Sequence, residues 1–462
     1  MTKGGPLAWQ SEAFRRMGMF GESGAKEILD KAIGLSKADQ CVARLSGAET
    51  GNLRYAANTA STSGSVRDAE LAVEVAFGKR VGTVTTNRFD EASLAAAVRR
   101  AEELAHLAPE NPEFVPAIER QTYAPSKTFV AKSATVTPEY RAQVAADCIE
   151  PCRKQGLVAA GFFTDTHSFS AIANSKGNFG YQENTTIDFT CTVRTADGRG
   201  SGYVARNTAD VSTFDAKEAV AIAARKAKES VAAKALEPGK YTVILEPQAL
   251  MPMMYWLMSG GFDAREADEG RSFLSKKGGG TRLGEKLFDE RVTIYTDPWD
   301  AQAPVLPWNE EDTPRRRMPL VTRGRIDALH YSRYWAAAKG KAASGGTGNV
   351  IMAGGEKSTA DLVKSTAKGL LITRTHYVNM VDPQTMQLTG LTRDGTFYVE
   401  NGEIKYPVRN FRFNESVVIA LNNVEDIGRP ERTVFFFDLA FPMMLPAIKL
   451  RDFTFTSLSD AI

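Results

Sequence analysis

LEPGKYTVILEPQALMPMMYWLMSGG, residues 236–261, decides how the chain divides. Ahead of it the Ala/Lys run DAKEAVAIAARKAKESVAAKA (215–235) reads as a long helix, and Pro238-Gly239 stops it. YTVILE then reads as an apolar strand. After the strand, four methionines, a tyrosine and a tryptophan crowd into one segment. Glu246-Pro247 can open a helix, but Pro252 has no N–H to donate, so the helix either begins around Pro252 or kinks there. Met254, Leu257 and Met258 would share an apolar side bordered by Tyr255 and Trp256. Flexible thioethers in that arrangement suit a buried core or interface helix.

Placing the boundary at 236–241 leaves residues 1–235 as an N-terminal α+β region, with units at about 20–125 and 130–235, and residues 236–462 as a C-terminal β-rich domain. In the first unit, ESGAKEILDKAIGLS (22–36) has helical spacing. CVARLSG and LAVEVAFGKRVGTVTT read as strands turning near Gly78, and Asp90 is placed to cap EASLAAAVRRAEELAHLA. The second unit opens with a helix at Pro138. In TTIDFTCTVR, Ile187, Phe189, Cys191 and Val193 point one way while Asp188, Thr190 and Thr192 point the other. A layered α/β arrangement on a mixed sheet is the expectation for this region. The C-terminal half is broken into short β-like runs (VTIYTD, RMPLVTRGRI, LLITRTHYV, GTFYVENGEI, SVVIALNNV, TVFFFDL, FTFTSL), which predicts a mostly antiparallel domain. NGE at 401–403 is the clearest hairpin turn.

The composition excludes several classes. Of 462 residues, 43% are hydrophobic and 24% charged, ordinary globular values, and 57 Lys and Arg nearly cancel 55 Asp and Glu. No footprint for nucleic acid or an anionic membrane shows at whole-chain level. The N-terminal stretch, with its Arg15-Arg16 pair, has no apolar run of signal-peptide length, and no run approaches the ~18 apolar residues of a membrane helix. Four cysteines fit a reducing cytoplasm better than a disulfide framework. Cys148 and Cys152 share a helical stripe with Tyr140 and Val144 and read as small buried hydrophobes.

No chemistry declares itself in the residues. The four histidines, His106, His167, His330 and His376, include no HExxH and no pair at ligand spacing, so no metal site is predicted in this chain. ASGGTGNVIMAGG (343–355) lacks the GK[ST] of a phosphate loop and reads as a loop entering a strand. A GxSxG elbow is absent. The mixed run EEDTPRRR (310–317) reads as a solvated loop.

Several stretches together resemble the TldD/PmbA family, also called TldD/TldE or modulator of DNA gyrase. They are LRYAANTASTSGSVRDAELAVEVAFGKRVGTVTTNRFDEASLAAAVRRA from Leu53, GRSFLSKKGGGTRLGEKL from Gly270, STADLVKSTAKGLLITR from Ser358, DPQTMQLTGLTRDGTFYVENGEIKYPVRNFRF from Asp382, and NNVEDIGRP from Asn422. The resemblance is collinear over nearly the whole chain. It implies a zinc metallopeptidase scaffold whose catalytic member carries HExxxH and a C-terminal cysteine ligand. Here the corresponding helix falls at Met253, Met254, Tyr255, Trp256, Met258 and Ser259, and the C-terminal stretch reads FFFDLAFPMMLPAIKLRDF, without cysteine. That departure is similar to the TldE/PmbA-type subunit. It implies no catalytic residues and no cofactor in this chain, zinc in an HExxxH-bearing heterodimer partner, and an extended peptide as substrate. The alternative expectation is a stand-alone homodimer that binds a peptide or protein. Candidate cleft or interface residues from the matching stretches are Arg271, Ser272, Glu285, Arg374, Arg393 and Asp394. The family pattern also expects a glycine near Asp312.

Overall fold

The computed structural model describes residues 19–433 and 441–459. Arg15, Arg16 and nearly all of TVFFFDL lie outside them. Two sheets carry an α+β fold. The first is one motif used twice. Helix α1 (Glu22–Leu35), strands β1 (Gln40–Ala56), β2 (Thr59–Phe77) and β3 (Arg80–Thr86), and α2 (Glu91–Leu107) make one α-β-β-β-α unit. A second follows as α3 (Pro138–Lys154), β4 (Leu157–Asn174), β5 (Phe179–Thr195), β6 (Ser201–Thr208) and α4 (Ala216–Glu229). Pairing of β1 with β4, from Val42 opposite Asn174 to Tyr55 opposite Gly161, fuses them in the order β3-β2-β1-β4-β5-β6.

Every pairing in this sheet is antiparallel, which corrects the expectation of a mixed sheet here. Within each unit, short turns join the strands, and short turns permit only antiparallel neighbours. Helices cover one face alone. Ile187, Phe189, Cys191 and Val193 are buried with Val144 and Cys148 of α3 and Val220 and Ala223 of α4. Leu71, Val73 and Val75 are buried with Leu29 of α1 and Val98 of α2.

Each unit draws its last helix onto its last strand through a glycine. A Cβ at Gly82 would sit 2.1 Å from the Ala101 carbonyl oxygen, and one at Gly202 would sit 2.1 Å from that of Ala223. Gly202→Val is therefore expected to cost about 1–3 kcal/mol by overpacking. Urea unfolding checks this, and an unchanged midpoint would contradict it. α4 stops at Glu229, short of the predicted Ala235. The Ser230 hydroxyl donates to the Ser201 carbonyl (3.0 Å), and the Lys234 N–H donates to that of Pro407 (2.9 Å), drawing the tail toward the other sheet.

The second sheet is the mixed one. Its strands are β7 (Gly239–Leu245), β8 (Ile294–Thr296), β9 (Met318–Thr322), β10 (Arg325–Ile326), β11 (Val350–Met352), β12 (Lys368–Ile372), β13 (Thr375–Asp382), β14 (Gln387–Thr392), β15 (Thr396–Glu400), β16 (Glu403–Pro407), β17 (Phe411–Ser416), β18 (Val424–Thr433) and β19 (Met443–Leu458). Parallel pairs β7–β12 and β11–β19 interrupt a mostly antiparallel path. Its helices are α5 (Pro247–Met258), α6 (Ala264–Asp268), α7 (Arg333–Lys339), α8 (Thr359–Lys364) and α9 (Val417–Asn422). α9 occupies SVVIALNNV, expected as a strand, because the Ser416 hydroxyl accepts the Ile419 N–H and caps a helix there. None of the described helices is long and apolar enough to cross a membrane.

Candidate functional site

The helix-free face of the first sheet looks toward loops of the second half across a cleft of about 980 Å³. Its floor comes from alternate positions of FTDTHSFS (163–170), where Thr164, Thr166, Ser168 and Ser170 face the cleft. Strand register then sets Asn52 and Asp188 on either side of Thr164, and Thr50 and Thr186 on either side of Thr166. Thr50 and Thr166 share a hydrogen bond (3.1 Å). The hydroxyls of Thr164, Ser168, Thr186 and Thr190 bond no described residue, so they offer donors and acceptors to whatever enters.

The roof contributes Pro304, Val305, Leu306, Gly348, Pro442 and two arginines. Arg315 belongs to the run expected as a solvated loop, yet its side chain is only 12% exposed. Its Nε donates to the Gly345 carbonyl (3.2 Å) and Nη1 to that of Leu306 (3.3 Å). The nearby Glu310 carboxylate is 3.8 Å away and 90% exposed. Arg432 donates through Nε to Asn207 Oδ1 (2.7 Å) and through Nη1 to the Gln302 carbonyl. Asn207 in turn donates to Asp188 (2.6 Å). Burial pushes the pKa of both guanidinium groups down, Arg432 to about 10. Sequence reasoning missed both; only the period-two hydroxyls of the floor left a readable signal.

The residues singled out from the sequence fall into two places away from this floor. Arg374, Arg393 and Asp394 come together between the sheets. Asp394, 1% exposed, accepts from Ser201 Oγ of β6 (2.5 Å) and Arg374 Nη1 (2.5 Å), with Arg393 Nε at 3.9 Å. Arg374 lies 3.7 Å over the Tyr203 ring. Arg271, Ser272 and Glu285 stay in the 261–285 loops. Arg271 pairs with Glu266 and Glu269, Ser272 donates to the Gly261 carbonyl, and Glu285 pairs with Lys276 and Arg282. Asp312 explains why a glycine suits its position. Its φ is +59°, and in this chain the carboxylate accepts two bonds from Arg44 of β1 (3.1 and 3.0 Å).

His376 sits beside the inter-sheet cluster. Burial first, then Arg374 and Arg393, lower its pKa to about 4. Since an unfolded histidine titrates near 6.5, its contribution to stability is full above that pH and is lost as pH falls toward 4. The loss is expected to be about 1–2 kcal/mol, allowing for the ring's partial exposure. His376→Gln should flatten this window in unfolding curves taken across pH. A variant whose pH profile matches the parent would contradict the assignment.

α5 starts at Pro247, five residues ahead of the proline expected to begin or kink it, and runs through Pro252. Met251, Met253, Met254, Leu257 and Met258 are buried in the core of the second half. Trp256 Nε1 donates to the Val378 carbonyl (2.8 Å), Ser259 Oγ donates to that of Tyr255 (2.7 Å), and Tyr255 meets Trp256 edge to face. A zinc ion does not fit this helix: its residues offer thioether, phenol and indole groups where imidazole and carboxylate would be required. Among the described residues no group of three or more His, Cys, Asp or Glu side chains could hold a metal. The stretch FFFDLAFPMMLPAIKLRDF begins in residues outside the described ones.

A second surface can receive an extended chain. Residues 59–70 of β2 pair with β1 on one side, while β3 reaches only Leu71–Phe77 on the other. Apart from the buried Ala69, that open edge is exposed, including Val66 at 63%. Unpaired N–H and C=O groups on such an edge can bond the backbone of an added strand.

Comparison with known proteins agrees with this architecture. Three family models match in order: PmbA/TldA metallopeptidase domain 1 over residues 41–105, the central domain over 126–231, and the C-terminal domain over 238–457. A metalloprotease of Methanothermobacter thermautotrophicus is 23% identical over 329 residues, covering 66% of this chain and 71% of that protein. Among solved structures, TldE from Thermococcus kodakarensis superposes with a TM-score of 0.84 at 17% identity, covering 93% of this chain and 99% of that one. A protein from Thermotoga maritima described as a modulator of a DNA gyrase gives 0.82 at 17%, covering 93% and 100%. With its three domain models matched in order, the chain belongs to the PmbA/TldD metallopeptidase family.

Proposed function

We propose that this chain is a non-catalytic, TldE/PmbA-like subunit of a TldD/TldE-type zinc metallopeptidase that processes or degrades unfolded or short peptides in the cytoplasm. The observation that carries the reading is α5, a core helix of methionines at the position where the family resemblance expects HExxxH. A zinc peptidase requires ligands that leave one metal position open to water, and a base to activate that water. Those groups belong to the partner in this reading. This chain covers or completes the partner's cleft and holds the peptide extended, for which the open β2 edge and the hydroxyl-lined floor are suited. The cluster of Arg374, Arg393 and Asp394 fixes the two sheets that bound the cleft.

The pairing is tested by mixing the purified chain with an HExxxH-bearing relative and measuring the mass of the assembly in native mass spectrometry. A complex containing one copy of each is expected. Two copies of this chain that ignore the relative would instead support the stand-alone homodimeric binder.

A further inference from the structure

Arg315 and Arg432 are partly buried cations, and the acids around them, Glu310 at 3.8 Å from Arg315 and Asp188 and Asp300 near Arg432, form no described hydrogen bond with them. Each uses Nε and Nη1 on neutral oxygens of the protein, and no described carboxylate hydrogen-bonds to either. An arginine stays charged at any ordinary pH and carries five donors, so a desolvated one favours an anion that can take the remaining pair. Local structure brings the two groups to one rim. The carbonyls of Gln302 and Leu306, five residues of one loop, hold one guanidinium each. β19 gathers the same elements: Arg432 pairs opposite Met444, and Val350, just beyond the Gly348 that touches Arg315, pairs with Met443. Both side chains line the cleft whose floor presents hydroxyls that bond no described residue.

We propose that Arg315 and Arg432 form a carboxylate-binding end of this cleft, holding an anionic group of a peptide that lies extended on the hydroxyl floor. The inference rests on the peptide-handling reading above and adds what kind of peptide is preferred. Hydroxyls both donate and accept, which matches the alternating N–H and C=O of an extended backbone without demanding a sequence. A guanidinium fork matches the two oxygens of a carboxylate.

Fluorescence anisotropy on the full chain tests it with three short Gly/Ser peptides, labelled at the N-terminus. One has a free C-terminal carboxylate, one a C-terminal amide, and one an amide plus an internal glutamate. The free acid is expected to bind on the order of 10-fold tighter than the neutral amide. The glutamate peptide tells the two carboxylate sources apart: binding like the acid means either carboxylate serves, and binding like the amide means the terminus is read. Arg432→Gln should bring acid and amide within about 2-fold of each other while leaving the amide's affinity unchanged. Arg315→Lys keeps a charge but loses the fork, and should retain part of the preference. Thr164→Val should weaken acid and amide alike. Equal binding of acid and amide by the parent chain, or no binding of either, would overturn the inference. Peptide hydrolysis with an HExxxH-bearing relative would still decide the proposed function separately.

Discussion

Asp165→Ala is expected to lower folding stability by about 3–5 kcal/mol, the largest single effect in the first sheet. Arg141 reaches from α3 into the sheet with its side chain 4% exposed. Its Nη1 donates to both Asp165 oxygens (2.8 and 2.9 Å) and its Nη2 to Ser65 Oγ of β2 (3.1 Å). Gly51 leaves the space for the guanidinium: a Cβ there would sit 1.9 Å from Nη1. Burial outweighs the attraction of Arg141 and pushes the Asp165 pKa up, so the ion pair is held at a cost, not as a free gain. Removing only the carboxylate leaves a buried cation whose Nε already lacks a partner. Replacing both ends, with Arg141→Met and Asp165→Leu, should cost less than Asp165→Ala alone, because no charge is then stranded. Urea unfolding of the single and double variants measures both. A single-variant loss below about 1 kcal/mol would contradict the burial of this pair.

Asp394→Ala comes next, at about 3 kcal/mol, and should act on how the two sheets are joined. The carboxylate ties Ser201 of β6 to Arg374, which also stacks on Tyr203. Its backbone is left-handed, with φ +56°, a conformation that asparagine accepts and alanine resists. Asp394→Asn therefore keeps the turn and an oxygen for Ser201 while losing the charge, and should cost less than the alanine change. Hydrogen exchange gives the site-specific readout. Amides of β6 are expected to lose protection in Asp394→Ala before those of β1 and β4 do. Uniform loss across the sheet would contradict a local joining role.

The alternation of Ile187, Phe189, Cys191 and Val193 made β5 legible, and the hairpin at 401–403 follows from Asn401 and Gly402 taking φ of +52° and +78°. Residues 59–68 were not legible as strand, because both faces are exposed and no hydrophobic period can mark them. The doubled α-β-β-β-α unit was hidden for a related reason: packing repeats at Gly82 and Gly202, while the surrounding side chains do not. Register placed Asn52, Thr164 and Asp188 side by side, a relation between three strands that no single stretch contains. Arg315 looked like a surface charge within a charged run. Its burial depends on the glycine loop folding over it, where a Cβ at Gly348 would sit 2.9 Å from Nη1. Arg432 had no distinguishing neighbour in sequence at all.

Hydrolysis of an unfolded peptide by this chain alone, by an HExxxH-bearing relative alone, and by the two together, with zinc determined in each purified protein, decides whether this chain is a non-catalytic subunit. No zinc and no cleavage are expected for this chain, and cleavage by the mixture well above that of the relative. Stoichiometric zinc in this chain, or cleavage by it alone, would contradict a non-catalytic role.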